Sequence, residues 1–129
     1  MAVKVIWNKP AIDNMLNSPT GEVGRWLSAQ GTKFVAAARA QVGKRTGFLA
    51  GSIHMRHSRG ARYQELRIGS TLSYALAHHE GTKPHVIMAK NAGALRFTSG
   101  TRIVYARSVK HPGTKPNKYL ADNLRIFRS

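Results

Sequence analysis

The sequence predicts an α+β fold: one long N-terminal helix packed on a small antiparallel β-sheet, with a C-terminal helix. Three observations lead there. Apolar residues between Val23 and Val42 recur near the helical period. After Thr46-Gly47 the pattern changes to strict alternation. No regular strand–helix–strand succession follows, so a parallel sheet is not expected.

Taken in order, Val3, Val5 and Trp7 alternate with Ala2, Lys4 and Ile6, which predicts a short opening strand. Pro10 to Leu16 reads as a short helix with Pro10 in its first turn and Asn8 as its cap, broken by Asn17-Ser18-Pro19-Thr20-Gly21. The long helix follows, with Ser18 as the expected cap, Pro19 in the first turn and Glu22 near the positive end of the helix dipole. Val23, Trp26, Leu27, Phe34, Ala37, Ala38 and Val42 form its apolar stripe. Gly24 and Gly31 each cost about 1 kcal/mol relative to alanine. Burial of Trp26, Leu27 and Phe34, at about 1.5–3 kcal/mol apiece, outweighs that. Gly43 is expected to end the helix in a left-handed conformation, with Lys44 and Arg45 at the negative end of the dipole.

Ile53, Met55 and His57 then share one face, and His54, Arg56 and Ser58 the other. Ser58-Arg59-Gly60-Ala61 reads as a turn into Gln64, Leu66 and Ile68, alternating with Tyr63, Glu65 and Arg67. This predicts an antiparallel hairpin with a basic outer face and a basic tip at Arg59 and Arg62. Ser73 to His79 predicts one or two helical turns. Val86-Ile87-Met88, Leu95 to Thr98 and Ile103 to Val109 read as strands, and Asn117 to Phe127 as a closing helix capped by Asn117, with Tyr119, Leu120 and Leu124 on one side. No linker divides the chain, so one domain is expected over 1–129.

The chain has 129 residues, with 21 Lys and Arg against five Asp and Glu, a formal charge of +16. Such a surface repels itself unless a polyanion or an acidic partner neutralises it. The five acids, Asp13, Glu22, Glu65, Glu80 and Asp122, leave little for carboxylate chemistry. Cysteine is absent, which excludes disulfides, thiolate metal sites and cysteine nucleophiles. No apolar run approaches the length of a membrane span, and the first ten residues hold no apolar signal core. A product that is soluble and not exported by the usual signal is therefore expected.

Six histidines invite a metal test, but the helical zinc spacing is missing, and His78 and His79 are adjacent and point apart. Only the fold could assemble a site from His79, His85 and His111, and a hydrolase built on it is the weakest of three readings. Neither a phosphate loop nor a nucleophile elbow is present, and Gly43-Lys44-Arg45-Thr46-Gly47 has the wrong order for the former. No enzymatic activity, metal or cofactor is expected. Aromatic residues are 8% of the chain, with Trp26 and Phe34 assigned to the core, so a base-stacking platform is not expected. Sequence-independent contact with phosphates remains.

One echo stands out. His79-Glu80-Gly81-Thr82-Lys83-Pro84 returns as His111-Pro112-Gly113-Thr114-Lys115-Pro116, offset by 32 residues. Two readings stay open: turns of similar chemistry, or loops converging on one neighbour.

Three stretches carry a resemblance to a known family: Thr46-Gly47-Phe48-Leu49-Ala50-Gly51-Ser52-Ile53, the run from Tyr74 through His79-Glu80-Gly81-Thr82-Lys83-Pro84-His85-Val86-Ile87, and His111-Pro112-Gly113-Thr114-Lys115-Pro116-Asn117-Lys118-Tyr119-Leu120. In order and spacing they resemble the tail-component family of long-tailed bacteriophages, also described as tail-completion, neck or head–tail connector proteins, in its actinobacterial-phage form. Gly43-Lys44-Arg45 before Thr46, and Lys118-Tyr119 before Leu120, depart from the family pattern. The resemblance implies a non-enzymatic virion protein at the head–tail junction, assembled in the bacterial cytoplasm. It implies a sixfold ring of copies around the DNA path, in contact with head-completion, tail-terminator and tail-tube proteins. On that reading Arg56, Arg59, Arg62 and Arg67 face packaged DNA or a partner rim. The loops His79, Glu80, Gly81, Thr82, Lys83, Pro84 and His111, Pro112, Gly113, Thr114, Lys115, Pro116 make subunit contacts. The alternative is a free nucleic-acid-binding protein without sequence preference.

Overall fold

A computed structural model describes residues 2–43, 45–60 and 63–128. The fold is α+β. The chain divides into two compact units, Met1–Ala75 with Lys118–Ser129, and Leu76–Asn117.

The first unit holds α1 (Lys9–Asn17), α2 (Glu22–Val42), α3 (Phe48–Ser52), the hairpin β1 (His54–Arg59) and β2 (Gln64–Gly69), and a 3-10 helix over Asp122–Arg128. The expected first helix is present, and Asn8 caps it, its Oδ1 accepting from the Ala11 N–H at 3.1 Å. The expected opening strand is not. Ala2–Asn8 lies outside any strand or helix, because a strand needs a neighbour to pair with and this segment has none among the described residues.

Several expectations for α2 are corrected. Gly21, not Ser18, precedes its first turn, without a side-chain cap. Ser18 instead closes α1, and its Oγ accepts from the Thr20 N–H at 3.3 Å. The helix does end at Gly43, but with φ +80° and ψ 171°, outside the left-handed helical region; Lys44 lies outside the described residues. Phe34, Ala38 and Val42 are buried as expected, whereas Trp26 is 46% exposed and Val23 is also exposed. The buried stripe passes through Gly24 and Gly31 instead. At Gly31 the reason is the hairpin, which lies against α2: a Cβ there would stand 2.5 Å from Leu66 Cδ2 and 2.9 Å from Met55 Sδ. Gly31→Leu is therefore expected to destabilise the protein by about 1–3 kcal/mol through overpacking. That outweighs the helix-propensity gain of about 1 kcal/mol, and urea denaturation would measure the difference.

The unexpected α3 turns the chain between α2 and β1. Its Leu49 and Ala50 join Phe34, Ala38, Val42, Ile53, Ala75 and Tyr119 in one core. Arg39 Nε and Nη2 both donate to the Ile53 carbonyl, at 3.2 and 2.7 Å, satisfying the oxygen where α3 stops. The hairpin register pairs Met55 with Ile68 and His57 with Leu66 on the inner face, and Arg56 with Arg67 and Ser58 with Glu65 on the outer. Both faces match the alternation. The turn lies further on than expected: Ser58 and Arg59 belong to β1, and the Gly60 N–H donates to the Tyr63 carbonyl at 2.9 Å. His57 is held on the inner face, bonded to Gln64 Oε1 at 2.8 Å and to Ser28 Oγ of α2 at 3.3 Å.

The expected closing helix is present as a 3-10 helix over Asp122–Arg128, later than the expected start and without Asn117 as its cap. Asn123 explains the tightening. Its Nδ2 donates to the Tyr119 carbonyl at 2.7 Å, so the Asn123 and Leu124 N–H groups reach back three residues, to Leu120 and Ala121. Leu124 is consequently 55% exposed, and Ile126 and Phe127 face the core. Tyr119 is 1% exposed and donates from its hydroxyl to the Ala75 carbonyl at 3.3 Å.

Burial pushes the Tyr119 phenol above its ordinary value near 10. The folded state thus favours the neutral ring. Its contribution is intact below the ordinary phenol value and is lost as pH rises from there through the higher folded value. Melting curves above pH 10 should fall more steeply in the native protein than in Tyr119→Phe; parallel falls would contradict this assignment.

The second unit holds most of α4 (Ala75–Glu80), the helical turns expected there, and two ribbons. β3 (His85–Met88) pairs antiparallel with β6 (Ser108–His111), and β4 (Leu95–Ser99) with β5 (Arg102–Ala106). The single strand expected over Ile103 to Val109 is split at a bend at Arg107, because its halves serve different partners. In β4–β5, Leu95 and Phe97 lie opposite Ala106 and Val104 and are half-buried, while Ile103 and Tyr105 are exposed. Every residue from 76 to 117 is described and none is buried.

Candidate functional site

The outer face of the hairpin is the first candidate. Arg56 and Arg67 are exposed and directly opposite each other, an arrangement that like charges resist. Glu65 relieves it: Arg67 Nε donates to Glu65 Oε1 at 2.6 Å, and Ser58 Oγ donates to Glu65 Oε2 at 3.5 Å. That bond and the carboxylate's charge push the Arg67 guanidinium further toward its charged form. Beside the pair is an open depression of about 240 Å³ lined by His54, Arg56, Arg67, Ile68, Gly69, Ser70 and Thr71. Two exposed guanidiniums beside the Thr71 hydroxyl suit an oxyanion such as a backbone phosphate, whereas the Ser70 hydroxyl is engaged: Ser52 Oγ donates to the Leu49 carbonyl, so Ser70 donates to Ser52 Oγ at 2.6 Å. Arg59 borders a second depression, about 360 Å³, with Asp13, Asn17 and Gly60. The hairpin thus groups Arg56 and Arg67 at one concavity and sets Arg59 at another, while Arg62 lies outside the described residues. Ser70 and Thr71 could not be read from the sequence, since nothing in Gly69-Ser70-Thr71 distinguishes a site from a connection.

The echoed loops are the second candidate. They converge on each other, which is neither of the two readings left open. Thr82 and Thr114, equivalent positions in the two copies, form an antiparallel bridge. Each N–H donates to the other's carbonyl, at 3.0 and 3.1 Å, and the Thr114 N–H also lies 3.0 Å from Thr82 Oγ1. Gly81 and Gly113 precede these threonines at φ +76° and +86°. A Cβ on Gly81 would stand 2.6 Å from the Thr114 carbonyl oxygen, and one on Gly113 would strike that of Thr82. The repeat therefore encodes a local two-fold pairing in which each glycine makes room for the other loop's backbone. Next to it, the His85 and His111 rings lie 5.0 Å apart. The His85 Nδ1 is bonded to the Lys83 carbonyl at 2.8 Å, and the Gly113 N–H donates to His111 Nδ1 at 3.1 Å.

His79 is not brought to these rings as a third ligand. Its Nδ1 bonds Glu80 Oε1 at 2.6 Å, and no group of three His, Asp or Glu side chains able to hold a metal occurs among the described residues. Glu80, Lys83, Pro84, Pro112, Thr114, Lys115 and Pro116 are exposed around the pair. Aromatic exposure exceeds the expectation: Trp7, Tyr63, Tyr74 and Tyr105 are all exposed, along with Trp26. Among the described residues, no helix is long and apolar enough to cross a membrane.

No protein-family model, no curated protein and no solved structure matches the chain. The likeness to phage tail components therefore rests on the three stretches quoted for it.

Proposed function

We propose that this chain is a non-enzymatic structural protein of a bacteriophage virion, a tail-completion or neck connector that forms or joins a sixfold ring around the DNA path. The observation that supports this most is the unit Leu76–Asn117, two-stranded ribbons without one buried residue. Isolated two-stranded ribbons are marginal in water, so such a unit gains its burial from neighbours. Charge agrees with the role. Five acids cannot neutralise twenty-one cations, and a lumen that DNA slides through needs positive charge without base contacts. On this reading the hairpin cations face DNA or an acidic rim, the exposed ends of the paired loops meet the adjacent subunit, and head-completion, tail-terminator and tail-tube proteins lie above and below.

Replacing Arg56 and Arg59 with alanine should leave the fold intact and lower the yield of joined, DNA-retaining particles. Unchanged assembly and retention would remove the hairpin from the DNA path. The exposed hairpin face also supports the second reading, a free nucleic-acid-binding protein. The same variants separate the two. A monomer that binds duplex tightly should lose about 0.9 from its log–log salt slope for each phosphate contact removed. A ring component should bind DNA only weakly as a monomer and lose particle assembly instead.

A further inference from the structure

We infer that the segment Ala2–Asn8 of one copy adds as a strand to the free edge of β3 in the next copy. The inference rests on the proposed ring, since it supplies the contact between neighbours. The segment carries a strand's alternation, Val3, Val5 and Trp7 against Ala2, Lys4 and Ile6, but has no strand to pair with. Among the described residues, backbone hydrogen bonds reach it only at its end, where the Trp7 and Asn8 carbonyls accept from Lys9 and Ile12. Its apolar side chains are in water, Trp7 at 71%.

The complementary feature is β3. It belongs to a two-stranded ribbon, so among the described residues the edge away from β6 is unpaired. Val86 and Met88, on one face, are 56% and 67% exposed, and Ile87 on the other face is also exposed. A strand apolar on both faces is the pattern of one with neighbours on every side. Charge selects this edge. In a +16 chain, β1, β2, β4, β5 and β6 each carry Lys or Arg, and β3 carries neither. The incoming segment brings one cation between Ala2 and Asn8, Lys4. Lengths agree as well, since Val3–Trp7 spans about as many residues as the four of β3. Strand addition would satisfy the open backbone groups of both partners and bury Val5 and Trp7 against β3 side chains. The contact joins different surfaces on the two copies, so it propagates head to tail and closes a ring when the rotation permits.

The cysteine-free background allows a direct test in the full chain. Chains bearing Val5→Cys are mixed with differently tagged chains bearing Val86→Cys, Met88→Cys or, as a control on β5, Ile103→Cys. Mild oxidation should give a mixed disulfide with one of the two β3 positions, the one the register sets opposite Val5, and not with the control. A single chain carrying Val5→Cys and the β3 cysteine that crosslinks to it should form a ladder of multimers on a non-reducing gel. Val5→Lys with Trp7→Lys, both at exposed positions, should keep the circular dichroism spectrum and raise the dissociation constant of the assembly about tenfold or more. An oligomer that forms with no β3 disulfide, or with equal labelling of the control, overturns the strand addition and leaves the ring standing. A disulfide confined to one chain also overturns it. A chain that stays monomeric at every concentration overturns the strand addition, whereas the ring itself stands or falls with particle assembly.

Discussion

Phe34→Ala is expected to lower the unfolding free energy by about 3–5 kcal/mol. Phe34 is 3% exposed, sits where α2 meets α3 and the closing segment, and stacks at a tilt on Phe127 with ring centroids 5.5 Å apart. Its removal leaves a cavity bounded by elements from both ends of the chain, so little can move in to fill it. Domains of this size are stable by only about 5–15 kcal/mol, so the variant should approach unfolding at moderate temperature. Trp26→Ala is the contrast: a larger side chain, nearly half in solvent, should cost far less. Urea denaturation of the pair measures both, and equal losses would mean that the core does not run where the buried residues place it.

Gly113→Ala is the second large effect, and it is local. At φ +86° a Cβ costs about 1–2 kcal/mol in backbone strain. The new methyl would also strike the Thr82 carbonyl oxygen, which accepts the Thr114 N–H at 3.1 Å. Displacing that oxygen leaves two backbone groups badly paired, for a total of about 2–4 kcal/mol. In a unit without buried residues this pairing is a large share of what holds the ribbons together. Hydrogen exchange should rise across 76–117 and stay unchanged in α2. Gly81→Ala should do the same, since its Cβ would meet the partner loop's backbone in the same way. Gly93→Ala, a glycine with open space around its Cβ, should be silent.

The elements that local physics decides were legible. The hairpin faces followed from alternation, and Asn8 from its place before Pro10. The α+β class followed from one change of period. What escaped depends on distant partners. Nothing near Gly31 says that Leu66 and Met55 will press on it, so the sequence pattern alone runs the apolar stripe through Trp26. The closing segment has a helix's composition, but Asn123 takes the Tyr119 carbonyl and tightens the turn. Val3–Trp7 has the pattern of a strand, and a pattern does not supply a neighbour. At the site, the Arg56–Arg67 face was readable from period two, whereas its Ser70 and Thr71 rim was not. The echoed loops announced a designed shape, but only the fold revealed that each is the other's partner.

On the proposed function this cationic chain is a part of a phage particle, completed by its neighbours. The decisive measurement is a cryo-EM map of the intact particle at the junction of head and tail. On that reading the map holds density for this chain as a closed ring of copies, with Arg56 and Arg67 facing the DNA channel or an adjoining acidic ring. A junction built without this chain, or copies arranged with those arginines turned to open solvent, would contradict it.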